Sequence, residues 1–405
     1  MPEFENILVT GGGLAGISAA YWAAGQGQEG NVVLLERSTS LLSGFQSLPS
    51  SGIPVATRSG SEGPDCLRGG TAGERLLSAW PGSATYDWLQ SIGLPLATTD
   101  EGTLLLTDLP GFREACSALL DSRGVRVLTE YPLETVSAQP GGGFRVWSRD
   151  GMALTGKSLL LATGGERNHG MKLARELGLE VNPGLPAFVR LRLTGTKLAE
   201  RLGSLQKEVH LHCEKTGLEA SGAVTLSPRG LEGPGLSALS AQAGKVWEQL
   251  GWNVRLRIDW NPHLSGSAIR NELQSRVQSG GRRQIGSTPL FGLNGKQWNT
   301  FLHASRINPE DPWPRIKARR LQGLVQLLKG QSLAFKGMGL PAGERAWAGG
   351  VDLQCLDAEC QSLACPGLYF AGEIIDLLGY PGGSHVNLAW ASAHVSGNAI
   401  GQSQG

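Results

Sequence analysis

Three glycines and a carboxylate near the start of the chain have the types and spacing of a phosphate-binding turn. Gly11, Gly13 and Gly16 fill a G-x-G-x-x-G pattern between the apolar run Ile7–Thr10 and an alanine-rich run ending at Ala24. In a strand–turn–helix, the first glycine permits the tight turn, the second lets the backbone approach a pyrophosphate and the third lets the helix lie on the strand. The helix start then offers free N–H groups and a partial positive charge to the phosphates. Glu36 closes the next apolar run, Val32–Leu35, 20 residues past Gly16. A carboxylate there accepts hydrogen bonds from a ribose diol. Gly11, Gly13, Leu14, Ala15, Gly16, Glu36 and Arg37 are the expected contacts of an adenine dinucleotide.

The second group lies far along the chain. Lys157 to Gly165 reads as a buried strand ending Ala-Thr-Gly-Gly, as in two-dinucleotide-fold flavoproteins, with Thr163 and Gly164 at its tip. Gly367 to Glu373 is a further apolar strand, Leu378 to Gly383 a loop, and Asn387 to Ile400 a small-residue helix. The positive end of that helix, after Gly382 and Gly383, suits an anion. His385 at the helix start is a candidate proton donor near neutral pH, with Tyr380 as a second. A histidine that only caps or packs there fits the same position.

Other chemistry-bearing residues have plainer readings. Cys355, Cys360 and Cys365 have no zinc spacing and no histidine pair. His210 and His212 share one strand face but lack a third ligand, so no metal is expected. Arg282-Arg283 and the run from Arg315 to Arg320 are basic; such runs are mostly solvated faces, and RNA or a phosphorylated cofactor is the alternative.

With 405 residues, two domains are the expectation. Balanced charge, 36 Lys and Arg against 35 Asp and Glu, gives no global basic field for nucleic acid. No apolar run is long enough for a membrane span. The acidic start, Met-Pro-Glu-Phe-Glu-Asn, is unlike a secretory signal, and six cysteines without such a signal favour reduced thiols. A cytoplasmic location follows. Residues 38 to 75, rich in Ser, Gly and Pro, read as a long surface loop. From Ala187 the texture changes to alternating apolar and polar strands followed by helices, the mark of an α+β insert. The expected division is 1–186 and 341–405 for a nucleotide domain and 187–340 for the insert.

The N-terminal fingerprint, Leu159 to Gly165 with Pro186 to Leu191, Ala220 to Pro234, and Gly349-Gly350-Val351 through Gly367 to Asp376 and on to Ser392 together resemble the HI0933-like (BaiN-like and YhiN-like) FAD/NAD(P)-dependent oxidoreductases. The resemblance implies an α/β, Rossmann-type FAD-binding domain of the two-dinucleotide-fold type, with an inserted β-barrel-like domain and helical bundle. It implies bound FAD, with the backbone at Leu133 meeting the adenine, Gly372 and Glu373 the ribityl-phosphate region, and the turn at Gly383, with His385 and Asn387, the flavin ring. The family's arginine-cysteine-asparagine stretch after the second strand is missing, and Ser384, His385 and Asn387 stand where members carry other residues. The expected activity is reduction of an activated C=C or C=O bond of a small molecule, with NAD(P)H as a transient donor because no second glycine fingerprint is visible. The alternatives are a flavin-binding scaffold without turnover and reduction of a uracil ring in structured RNA.

Overall fold

The computed structural model describes residues 4–25, 30–45, 52–58, 66–100, 102–165, 169–194, 197–339, 346–381 and 383–403. The chain forms two compact units, Met1–Ala187 with Ala342–Gly405, and Phe188–Pro341. Gly382 lies outside the described residues.

The first unit is built on a seven-stranded sheet. Arg126–Leu128, Val32–Leu35, Phe4–Thr10, Ala153–Leu161 and Leu368–Phe370 run parallel in that order. The hairpin Leu133–Ala138 and Phe144–Ser148 continues the sheet antiparallel, through Phe144–Ser148 against the first half of Ala153–Leu161. Ile7, Leu8 and Val9, like Leu159, Leu160 and Leu161, are fully buried. Runs that are apolar at every position, rather than alternating, are what a parallel sheet covered on both faces requires.

Two helices pack against each other beside this sheet. The first, Leu14–Ala24, follows the glycine turn; the last is Ser384–Gln402. Their small residues allow close approach: a Cβ on Gly397 would lie 2.7 Å from the carbonyl oxygen of Ala19. Gly372 fits between Ala15, near the start of one helix, and Ala389, near the start of the other. Both helices therefore begin at the same end of the unit.

The described parts of the segment 38–75 are not the long loop that its composition suggests. Ile53–Thr57 pairs with Thr103–Leu106, Cys66–Arg68 pairs with Leu378–Gly379, and a helix spans Gly70–Ala79. The partner strands are distant in sequence, so no local period announces them. Pro54 is tolerated because Ile53–Thr57 is an edge strand.

The second unit is a closed six-stranded barrel: Arg190–Leu193, Gly230–Glu232, Glu219–Ser227, Leu205–Cys213, Asn253–Asp259 and Gln331–Gly339. Alternation puts Val209, Leu211, Val224, Leu256 and Leu333 inside. The helix Pro234–Gln249 lies against Glu219–Ser227 where Gly235 meets Gly222. Helices Gly266–Ser279, Gly295–Ala304 and Ala318–Gly330 bury Trp260, Trp298 and Phe301. Among the described residues, no helix is long and apolar enough to cross a membrane.

One half-buried titratable group in the first unit carries a stability consequence. The His394 ring stacks on Trp80 at 3.7 Å and meets Trp22 edge-on at 4.5 Å. Burial pushes its imidazole down to about 4 from the ordinary 6.5. The folded chain therefore takes up this proton at lower pH than the unfolded chain. The site's contribution is intact above pH 6.5 and is lost as pH falls from 6.5 towards 4. Thermal unfolding of wild type and His394→Phe across that range should show a shallower loss of midpoint for the variant; parallel curves would contradict this account.

Candidate active site

The turn between Thr10 and Leu14 owes its shape to two contacts that exclude side chains. Gly11 has φ +101°, and a Cβ there would lie 2.3 Å from the carbonyl oxygen of Ala162 at the end of the neighbouring strand. A Cβ on Gly16 would lie 1.8 Å from the Gly11 carbonyl oxygen. These two glycines are required by the fold itself. Gly13 is different: φ is −85°, and a Cβ added there meets nothing within 4 Å. The chain does not need glycine at this place, and the space in front of it is open. No side chain caps the helix that Gly13 begins. Its leading N–H groups, at Leu14, Ala15 and Gly16, have no acceptor within the helix.

Glu36 is buried behind the turn. Its Oε2 accepts from the Gly12 N–H at 2.6 Å, and its Oε1 accepts from the Ser38 N–H at 2.8 Å and the Ser43 hydroxyl at 3.2 Å. The carboxylate thus braces the glycine turn in addition to lying where a ribose is expected. Arg37 is exposed. Leu133 begins its strand two residues after Tyr131, whose N–H bonds the Glu36 carbonyl. Thr163 and Gly164 follow the strand that meets Gly11, and the next residue, Gly165, abuts Glu373, to whose Cβ its own Cβ would lie 2.8 Å away.

Across Gly372, which packs between Ala15 and Ala389, lies a second uncapped helix start. Gly383, with φ +110°, precedes Ser384 and no side chain caps it. Within this first turn His385 is buried, and both ring nitrogens are engaged. Nδ1 accepts from the Gly379 N–H at 3.3 Å, and Nε2 meets Glu373 Oε1 at 2.7 Å. An N–H pointing at Nδ1 places the ring proton on Nε2, so the imidazole donates to the glutamate. The Glu373 side chain is 26% exposed against 6% for His385. Gly372, Leu377, Leu388 and Ala389 line the same small cleft as this pair. The sequence singled out His385 as the group facing the reacting centre. In the structure both line this cleft, and Glu373 is the more exposed of the two.

Two other expected contacts have structural partners. The Asn387 side chain exchanges hydrogen bonds with the backbone of Thr57, accepting from its N–H at 3.4 Å and donating to its carbonyl at 3.2 Å. It clamps the edge strand Ile53–Thr57 to the last helix, as does Trp390, whose Nε1 donates to the Val55 carbonyl at 2.6 Å. Tyr380 is half-buried, and its carbonyl accepts from the His385 N–H. Residues that the spacing does not reveal are Ser392, whose hydroxyl accepts from the Gly372 N–H at 2.9 Å, and Asp376, described below.

The other candidates are local. His210 and His212 both face Glu219 across two strands of the barrel. Among the described residues, no group of three or more His, Cys, Asp or Glu is placed to hold a metal. The six cysteines are free.

A profile of the HI0933-like protein Rossmann domain matches residues 5–399. The 3-dehydro-bile acid delta(4,6)-reductase of Clostridium scindens is 23% identical, over 98% of this chain and 99% of that protein. A ribosomal RNA dihydrouridine synthase of Haemophilus influenzae is 23% identical over 60% of each chain. Among solved structures, the 3-ketosteroid-delta4-(5alpha)-dehydrogenase of Rhodococcus jostii RHA1 is similar at a TM-score of 0.48 and 14% identity, covering 98% of this chain and 97% of that one. A likeness at this level carries no argument about chemistry.

The glycine geometry separates folding from binding. Gly16→Ala should lower the unfolding midpoint, because its Cβ has no space beside Gly11. Gly13→Val should leave the midpoint near wild type while weakening dinucleotide affinity at least about 100-fold, the loss of one or two charge-assisted hydrogen bonds. Calorimetry of both variants, with and without FAD, checks the pair. Wild-type affinity in Gly13→Val would mean that the turn does not contact the cofactor.

Proposed function

The chain belongs to the HI0933-like protein Rossmann-domain family and is an FAD-dependent oxidoreductase, and from this premise we propose that it reduces an activated C=C or C=O bond of a small molecule, with NAD(P)H as transient donor. The residues present fit FAD. Gly11, Gly13 and the N–H groups of Leu14, Ala15 and Gly16 would hold the pyrophosphate. Glu36 and the backbone at Leu133 would flank the adenosine, and the start of the last helix at Gly383 would meet the ring. FAD supplies the hydride chemistry. The protein supplies position, the positive ends of two helices and a proton.

The observation that carries the proposal is the convergence of two uncapped helix starts on one end of the unit, with the Glu373–His385 pair beside the second. The uncapped start of the last helix favours negative charge on a group bound against it, by about 0.3–1 kcal/mol at an exposed site and more when water is excluded. His385 keeps its proton on Nε2 against Glu373, and Glu373, reaching solvent, is placed to exchange a proton with substrate. A reduced C=C or C=O bond needs that proton after hydride transfer. The relative acting on a 3-dehydro-bile acid supports a small-molecule substrate, and the free cysteines support a reducing, cytoplasmic compartment.

A second reading has its own observation. Arg282, Arg283, Arg315, Lys317, Arg319 and Arg320 are all exposed in the second unit, and two relatives act on ribosomal RNA. An RNA substrate would bind there with steep salt dependence.

The test is spectroscopic. Purified protein should be yellow and bleach on anaerobic mixing with NADPH or NADH. With an enone substrate that reoxidises it, Glu373→Gln should turn over about 100-fold more slowly, the usual loss of a general acid. His385→Gln should also slow turnover, with FAD content unchanged in both. A yellow protein inert to both nucleotides and to enones would overturn the proposal, and tight, salt-sensitive capture of ribosomal RNA would favour the second reading.

A further inference from the structure

The residues that hold the Glu373–His385 pair in register are themselves held by one buried carboxylate. Asp376 is 6% exposed and its two oxygens accept four hydrogen bonds. Arg68 donates two, Nε to Oδ1 at 2.8 Å and Nη2 to Oδ2 at 2.5 Å. Asn182 Nδ2 donates to Oδ2 at 2.9 Å and the Gly349 N–H to Oδ1 at 3.0 Å. Four donors fill the capacity of a carboxylate, and the Arg68 fork compensates its charge. Asn182 also reaches Asp352 at 3.3 Å.

The location of this hub makes it more than a brace. Asp376 lies three residues after Glu373 and three before Gly379, the two partners of the His385 ring. Arg68 holds this segment a second way: its strand, Cys66–Arg68, pairs with Leu378 and Gly379. The Gly379 N–H, which decides which nitrogen of His385 carries the proton, is therefore fixed in direction by the strand that Arg68 anchors. On the other side, the Asp376 N–H bonds the Val351 carbonyl at 3.0 Å, and a Cβ on Gly350 would strike the Ile374 carbonyl oxygen at 2.4 Å. That pins the turn carrying Glu373.

We infer that the Arg68–Asp376 ion pair is a positioning device for the Glu373–His385 pair, aiming the Gly379 N–H at Nδ1 so that His385 keeps its proton on Nε2. The pair touches neither the cleft nor a reacting atom. Its consequence for turnover rests on the proton role proposed for Glu373 and His385, whereas its effect on the imidazole does not.

The experiment reads the imidazole directly. The full chain carries seven histidines; with 15N-histidine labelling, His385 is identified as the ring whose signals vanish in His385→Gln. In wild type its ring nitrogens should report the Nε2–H form. In Arg68→Met the Nε2–H fraction should drop to about half, and in Arg68→Lys, which keeps the charge but loses the fork, to an intermediate level. Arg58→Met, which breaks the exposed Arg58–Asp87 pair of the same unit, should change nothing. A folded Arg68→Met with His385 still wholly in the Nε2–H form overturns the inference. If Arg68→Met does not fold, Arg68→Lys decides on the same criterion. Unaltered turnover in His385→Gln would instead remove the proton role and leave the positioning result standing.

Discussion

The carbonyl of Gly11 packs where a side chain on Gly16 would have to be, and the first unit depends on that contact. A backbone this close to the helix leaves no room for a Cβ on Gly16, and Ala162 leaves none on Gly11. With the turn so placed, the helix N-terminus is aimed out past Gly13 and its first N–H groups lack internal acceptors. The rest of the unit makes this turn rigid. Glu36 braces it from behind, Ala162 closes it from the adjacent strand, and Gly372 wedges the first helix against the last. Two positive helix ends then face the same region. A chain that gains nothing internally from glycine at position 13, yet has it, is shaped for something outside itself.

The same logic explains the far end of the site. A buried aspartate is tolerable only when its charge is compensated and its lone pairs are filled, because removing one partner of such a pair costs about 3–5 kcal/mol. Asp376 meets both conditions by drawing on three segments that are distant in sequence, and so it joins them. The Gly349-Gly350 pair fits the same need, since Gly349 must pass beside Pro183 and Gly350 beside the turn at Ile374 without side chains. The short segment from Gly372 to Pro381, mostly irregular, is therefore held from several sides.

Local signals marked the glycine turn. Glycine spacing, an apolar run on each side and an acid at the end of the next strand are all readable within forty residues. The insert was visible in the change from continuous apolar runs to alternation near Ala187. What spacing does not show is pairing between distant segments. Ile53–Thr57 and Cys66–Arg68 look like loop because their partners lie tens to hundreds of residues away. For the same reason nothing local shows that the Asn387 amide, expected at the cofactor, bonds the backbone of Thr57. His385 was found from its place at a helix start, but its partner Glu373 was read only as a cofactor contact, since nothing local shows that the two side chains meet.

The central claim is that backbone N–H groups at the first helix grip a diphosphate. Calorimetric titration of the flavin-free chain with FAD and with riboflavin tests it most directly. The two ligands share the ring and differ in the diphosphate and adenosine. FAD binding tighter than riboflavin by several orders of magnitude, with the difference lost in Gly13→Val, is the expected result. Equal affinity for the two would contradict the account.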